Sequence, residues 1–412
     1  MRALDAFKGH LERQEFLDDL KPIDELAIRS YRLDRVHERL RERDIPGLLL
    51  FDPVNIRYAT GSRNMQVWTM HNFGRYAFVA CDGPVVLSDF SSSSHLSEGL
   101  ETVDIRRPSI SFDYMIVGER GQEMAGRLAA EIADLVRQYG GSNKRLAIDR
   151  GDLFVLRALE AEGLDLLDGK AVMEQAKSVK SGEEIRALTR SLRTCEAAVG
   201  DMRAALKPGM RESDALALLL KGSVERGGEY PETRLLSSGP RTNPWFQETS
   251  DRVMQAGDLL SFDTDLIGPD GFYNDISRSW TVGEERPNDE QRRLYDLSRR
   301  QIEQNVSLLR PGLGFLDYAR AAFQLPEDCI GNRYADVAHG CGLAVDYPLI
   351  WYPEDEEWGA YDGVFEENMV ICVESYVGSV GGREGVKLEQ PVWITADGPY
   401  LLSDYPLEDD WA

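Results

Sequence analysis

Apolar positions along this chain recur with two different periods. In residues 31–44, Leu33, Val36 and Leu40 fall on one face of a 3.6-residue helix. The run GLLLFD (47–52) is continuous and apolar, which predicts a buried strand. After the segment NIRYATG, the runs YAFVAC and PVVLSD predict two strands around the turn Asp82-Gly83-Pro84. A long helix is expected over 119–138, a strand in LAID (146–149) and a helix over 151–162. Helices alternating with strands make the first 170 residues an α/β domain.

The pattern changes near 170–181, which places two domains at 1–175 and 176–412. Ser181-Gly-Glu-Glu184 has the form of a capping box. It opens a helix from Glu183 to about Leu206, with Ile185, Leu188, Leu192 and Ala197 or Ala198 inward. A helix over 212–227 follows. Strands are expected in TRLLSSG, DLLSFDTDLIG, FYNDISRSWTV, MVICVESYV and VKLEQPVWIT, with helices near 288–309 and 315–323 between them. The second domain is therefore α+β. The charged run at 353–357 reads as a solvated loop.

A length of 412 residues fits two domains, and 42% hydrophobic residues suffice for two cores. No stretch approaches the roughly 20 apolar residues of a membrane helix. Charge interrupts every apolar run in MRALDAFKGHLERQEFLDDL, so no secretory leader is expected there. Five scattered cysteines (Cys81, Cys195, Cys329, Cys341, Cys372) read as reduced thiols in a cytoplasmic protein. A net charge of -24 repels phosphate backbones and argues against nucleic acid as a partner. It keeps the surface soluble and would attract cationic small molecules. Of the five histidines only His339 lies beyond residue 95, so chemistry in the second domain runs on carboxylates with one imidazole.

Those carboxylates are clustered. In Ser261-Phe-Asp-Thr-Asp265, strand alternation puts Asp263 and Asp265 on one face. The turn Gly268-Pro-Asp-Gly271 folds the next strand back, bringing Asp275 towards Asp263. Glu374 follows the apolar run Met369–Val373, and a hairpin through Gly381-Gly382 sets Glu389 beside it. Buried acids in such number call for a cation. His339, flanked by Ala338 and Gly340, adds an imidazole. Oxygen donors with one nitrogen suit Mn, Fe, Co or Zn, and the acids fit two divalent ions held by bridging carboxylates.

The order Asp, Asp twelve residues later, Gly-flanked His and two Glu in hairpins resembles the pita-bread superfamily of methionine aminopeptidase, prolidase and creatinase. Asn55-Ile-Arg-Tyr-Ala-Thr-Gly61 is similar to the N-terminal signature of the prolidase and creatinase branch. The resemblance implies a creatinase-like α/β N-terminal domain, a pita-bread C-terminal domain and a homodimer. It makes Asp263, Asp275, His339, Glu374 and Glu389 the five metal ligands. Peptidases of the group use two further histidines. Here Trp245 or Phe246 stands near the place of one, and Asp346 at the other.

Asp263-Thr-Asp265-Leu, Asp275-Ile-Ser-Arg-Ser-Trp280, Asn243-Pro-Trp-Phe-Gln-Glu248, Asn64-Met-Gln and Lys387-Leu-Glu389 resemble the dimethylsulfoniopropionate lyases of this fold. That resemblance makes Asp265 a sixth ligand. It implies a β-elimination that releases dimethyl sulfide and acrylate from a small cationic carboxylate. Trp245, Phe246 and Tyr334 are candidates for an aromatic wall against the sulfonium, and Trp68 and His71 for a contribution to a neighbouring subunit's site. The lyase base position falls on Val345, so a one-residue shift would give the role to Asp346. The alternative is a metal-dependent hydrolase of a small amide or dipeptide, with Glu374 shuttling the proton.

Overall fold

The computed structural model describes residues 3–8, 16, 17, 21–408 and 411. The chain forms two units, one of Asp24–Lys177 and one of Met1–Ile23 with Ser178–Ala412. The described residues among the first 23 thus fall in the second of these units. In the described part, Lys8 pairs with Asp404 and the Phe16 ring packs at 6.3 Å from Trp393.

In the first unit six strands form one sheet. They are β1 (Gly47–Leu50), β2 (Tyr76–Ala80), β3 (Val85–Asp89), β4 (Ile105–Pro108), β5 (Arg145–Ile148) and β6 (Asp165–Asp168), in the order β4-β3-β2-β1-β5-β6. All four residues of β1 are buried, as a central strand covered on both faces requires. Helix Gly121–Gly140 lays Leu128, Ile132 and Val136 against a core with Leu49, Phe78 and Ile148. The strand expected over 47–52 stops at Leu50. The Asp52 carboxylate accepts from Val54 N at 2.8 Å and caps helix Pro53–Thr60, which holds most of the NIRYATG run. Proline in the first turn and Gly61 at φ +73° frame that helix at its two ends.

The second unit opens with helix Gly182–Ala205. Ser181 and Glu184 complete the expected capping box, and Ile185, Leu188, Leu192 and Ala198 face inward. Eleven strands follow: β7 (Tyr230–Pro231), β8 (Leu236–Ser238), β9 (Leu259–Asp263), β10 (Leu266–Ile267), β11 (Tyr273–Asn274), β12 (Ser277–Thr281), β13 (Ala338–Cys341), β14 (Val345–Ile350), β15 (Val370–Val377), β16 (Val386–Thr395) and β17 (Gly398–Leu401). They form sheets β11-β10-β7, β12-β9-β8 and β14-β13-β15-β16-β17. Helix Asp289–Leu308 covers one face of β15, where Ser298 and Gln301 hydrogen-bond Ser375 at 2.7 and 2.8 Å. Alternation therefore turns Cys372, Glu374 and Tyr376 to the other face. The acidic run at 353–357 coils into short helical turns, Pro353–Asp355 and Glu356–Gly359, rather than open loop. All five cysteines are buried free thiols, and no helix among the described residues is long and apolar enough to cross a membrane.

One buried acid organises the segment that enters the site. Glu212 is fully buried at the start of helix Glu212–Glu225. It accepts from Ser238 N and Oγ at 2.8 Å each, and from Ser250 N and Oγ at 3.0 and 2.7 Å. It thereby pins both ends of the loop that carries Trp245. Glu212→Ala removes these bonds and leaves the donors buried. It should lower stability by about 3 kcal/mol, seen as a lower urea midpoint for the transition of the second unit.

Candidate metal centre

Asp263 ends β9, and its partner across β12 is Ser277. Asp265 is not on that strand. The chain passes from one sheet to another between β9 and β10, and Asp265 makes the turn with φ +41°. The predicted alternation of Asp263 and Asp265 thus fails, yet the turn brings Asp265 back to the cluster. Its two oxygens accept from the Thr233 and Tyr273 hydroxyls. Asp275 likewise sits in a break, between β11 and β12. Glu374 and Glu389 are directly opposed across β15 and β16, as the hairpin through Gly381-Gly382 predicts.

These segments converge. The atoms of Asp263, Asp265 and Asp275, and those of Asp263, Glu374 and Glu389, lie within 4.8 Å of one another. His339 Nε2 is 3.4 Å from Glu374 Oε1, 3.5 Å from Asp275 Oδ2 and 3.8 Å from Glu389 Oε1. Its Nδ1 stands 3.1 Å from Gly340 O, so a proton on Nδ1 leaves Nε2 to act as a donor atom. All six candidate ligands are buried.

Lys387 was not among the candidate ligands, and it stands in the middle of them. It is completely buried, with Nζ 2.9 Å from Asp263 Oδ2, 2.7 Å from Glu374 Oε2, 3.4 Å from Glu389 Oε2 and 2.7 Å from Ser277 Oγ. Burial opposes its charge, but Asp263, Glu374 and Glu389 hold its pKa well above the ordinary lysine value. Its signal in the sequence is the spacing of two from Glu389, which puts both on one strand face. One ammonium does not balance five carboxylates. Burial, then the charges of Glu389 and Asp263, push the Asp275 carboxyl well up, and burial with Glu374 does the same to Glu389. Burial and Asp263 push Asp265 up to about 7. Asp263 Oδ1, Asp275 Oδ1 and Glu389 Oε1 are buried without a hydrogen-bond partner. Orphaned carboxylate oxygens converging from three elements fit a cation.

The aromatic candidates assemble beside the acids. Trp245 is buried against Leu235 and Tyr376, with Tyr334 packed on this group. Phe246, half exposed at φ +67°, stacks on Tyr334 at 5.3 Å. The Lys387 ammonium lies 4.5 Å from the Tyr334 ring centre and 5.9 Å from that of Trp245. A cation thus already stands between these rings and the carboxylates. Trp68 and His71 belong to the first unit, on helix Gln66–His71, where Trp68 packs at 5.6 Å from Phe90.

Asp346 does not join the cluster. In β13, His339 pairs with Cys372 and Gly340 with Ile371, so the two faces alternate regularly. Asp346 pairs with Gly340, and Val345 with Cys341. Register therefore gives Val345 the His339 face and Asp346 the opposite one, where its carboxylate lies against Gly342. The one-residue shift expected from the sequence is not made. A different acid was missed: Asp336, buried three residues before His339, with Oδ1 lacking a hydrogen-bond partner. Burial, then the negative charge of Glu374, push its carboxyl up to about 7, against the pull of His339 and Lys387.

Residues 186–396 match the model of metallopeptidase family M24, and residues 32–186 that of the creatinase/prolidase N-terminal domain. The chain is 39% identical over 386 residues to the dimethylsulfoniopropionate lyase DddP of Roseovarius nubinhibens, covering 92% of this chain and 86% of that protein. Identity to the enzyme of the same name from Roseobacter denitrificans is 39% over 387 residues, covering 93% and 87%. In fold it is similar to the prolidase of Thermococcus sibiricus, with a TM-score of 0.74 at 17% identity, covering 92% of this chain and 98% of that one. The Xaa-Pro dipeptidase of Bacillus anthracis gives 0.73 at 18%, covering 92% and 98%. The creatinase-like first domain, the pita-bread second domain and the long shared identity agree: the chain belongs to metallopeptidase family M24, in the company of the dimethylsulfoniopropionate lyases.

Proposed function

We propose that this protein is a metal-dependent C–S lyase that cleaves dimethylsulfoniopropionate, or a closely related cationic carboxylate, into dimethyl sulfide and acrylate. The observation that carries the reading is the pairing of an aromatic wall with an anionic ion site, bridged by the Lys387 ammonium. Such a site holds a cation on rings and a carboxylate on metal at opposite ends of one small molecule. The 39% identity to two enzymes named as lyases supports the choice of substrate. The peptidase alternative lacks support at two places. Trp245 or Phe246 and Asp346 occupy the regions where peptidases of this group carry histidines, and His339 is the sole histidine beyond residue 95.

Asp263, Asp265, Asp275, His339, Glu374 and Glu389 would hold the ions. Five carboxylates less one ammonium leave four negative charges in this set, which two divalent ions would balance. When bound, the ions would anchor the substrate carboxylate and lower the energy of negative charge developing on it. Tyr334 and Trp245 would face the sulfonium, an attraction of about 0.5–2 kcal/mol. In the elimination a proton leaves the carbon next to the carboxylate. That C–H pair forms the new C=C bond, and the C–S pair departs with dimethyl sulfide. We assign the proton to Asp336, a buried acid three residues before His339 whose Oδ1 has no hydrogen-bond partner. The protein would work as a homodimer, as the family resemblance implies, and in the cytoplasm, as its scattered free thiols suggest.

Metal-loaded protein supplied with dimethylsulfoniopropionate should release dimethyl sulfide, detectable in the headspace by gas chromatography. Silence at high enzyme concentration, with metal content verified, would overturn the lyase reading. Asp336→Asn should lower kcat by about a hundredfold or more, whereas Asp346→Asn should leave kcat within about twofold, since its carboxylate faces away. Steady-state rates on the two purified variants decide between these acids. Tyr334→Leu should raise KM about tenfold, the equivalent of about 1.4 kcal/mol, with a smaller change in kcat.

A further inference from the structure

Cys372 shares the cluster-facing side of β15 with Glu374, two residues on, and its cross-strand neighbour in β13 is His339. The thiol is fully buried. Its Sγ and ligand atoms of Asp275, His339 and Glu389 all lie within 4.8 Å of one another. Bonds of about 2.0–2.3 Å around one tetrahedral ion separate the donor atoms by about 3.5 Å, so small side-chain rotations close this group on a single ion. An independent sign that the group faces a cation comes from the oxygens. Asp275 Oδ1 and Glu389 Oε1 are buried and accept no hydrogen bond.

The ligand set implied by family resemblance contains oxygen and nitrogen only. We infer that Cys372 is a sulfur ligand to the ion held by His339, Asp275 and Glu389. This rests on the cluster binding metal and not on which substrate is cleaved. A thiolate is a soft donor, and it makes this position prefer Zn, Co or Fe(II) to Mn or Mg. It also makes the two ion positions unequal, because the group of Asp263, Asp265 and Asp275 is all oxygen. Cys341 serves as the internal control. It is buried beside Cys372, in side-chain contact with it and 3.5 Å from Tyr273 O, yet it belongs to none of the ion-capable groups.

The test is Co(II) loaded into the full-length protein. Visible d–d absorption reports that the ion is bound, and a near-ultraviolet sulfur-to-cobalt charge-transfer band reports the thiolate. The band is expected in the wild type and in Cys341→Ser, and in Cys372→Ser it should fall to about a tenth or less of its intensity. Cys372→Ser should also lose about tenfold in Zn(II) affinity while Mn(II) affinity holds. Cobalt bound with d–d absorption but no charge-transfer band in the wild type would overturn the sulfur ligand and leave the carboxylate–histidine site standing. Failure to bind cobalt at all would remove both. Should Cys372→Ser not fold, the wild type and Cys341→Ser decide, since loss of the band in the latter would assign it to the wrong cysteine.

Discussion

Mutual repulsion among five buried carboxylates is the constraint that this domain is built to withstand. Two unit charges about 4 Å apart interact by about 4 kcal/mol at the effective dielectric near a protein surface. No single element could hold such a group together. The acids come instead from a strand end, two chain breaks and a hairpin, so each acid lies on or beside a strand held by sheet bonds outside the cluster. The Lys387 ammonium and the Thr233, Tyr273 and Ser277 hydroxyls relieve part of the strain.

Comparison with Glu212 shows what distinguishes a structural acid from a functional one. Both kinds are buried. Glu212 has both oxygens occupied by donors from the loops it ties, and nothing further is required of it. Asp263, Asp275 and Glu389 each keep one oxygen with no donor. Burial without satisfaction is costly in a folded protein, and it persists here on residues from three separate elements that point at one volume. The same contrast separates Asp336, with an orphaned oxygen near His339, from acids on the solvated surface.

Much of this was legible in the sequence because strands have a strict period of two. The opposed pair Glu374 and Glu389 follows from a glycine turn between two apolar runs, and the capped helix at Ser181 from four residues. Lys387 and Cys372 were equally legible, each two positions from a glutamate, but a lysine or cysteine in an apolar strand carries no mark of where it points. Asp265 comes to the cluster through a left-handed turn and not through the expected alternation. The face that Asp346 takes depends on the shift in pairing between His339 and Gly340. That shift falls at Tyr347-Pro348 of β14, and the proline within the strand is the one residue that marks it. The helices Pro53–Thr60, Gln66–His71 and Lys170–Ser178 and the strands β4, β6, β7, β13, β14 and β17 are not marked by the apolar pattern, most of them being too brief to show a period.

The spread of the cluster along the chain bears on how an ion comes to be there. Asp263 and Glu389 belong to different sheets, and His339 arrives on a third segment between them. Contacts so distant in sequence form late, after local hairpins and helices. An unfolded or half-made chain therefore offers no chelating pocket, and an ion meets a finished one. Lys387 supplies positive charge from within the chain, so the sheets can close before any metal is present. Loading would then be a separate event that follows folding.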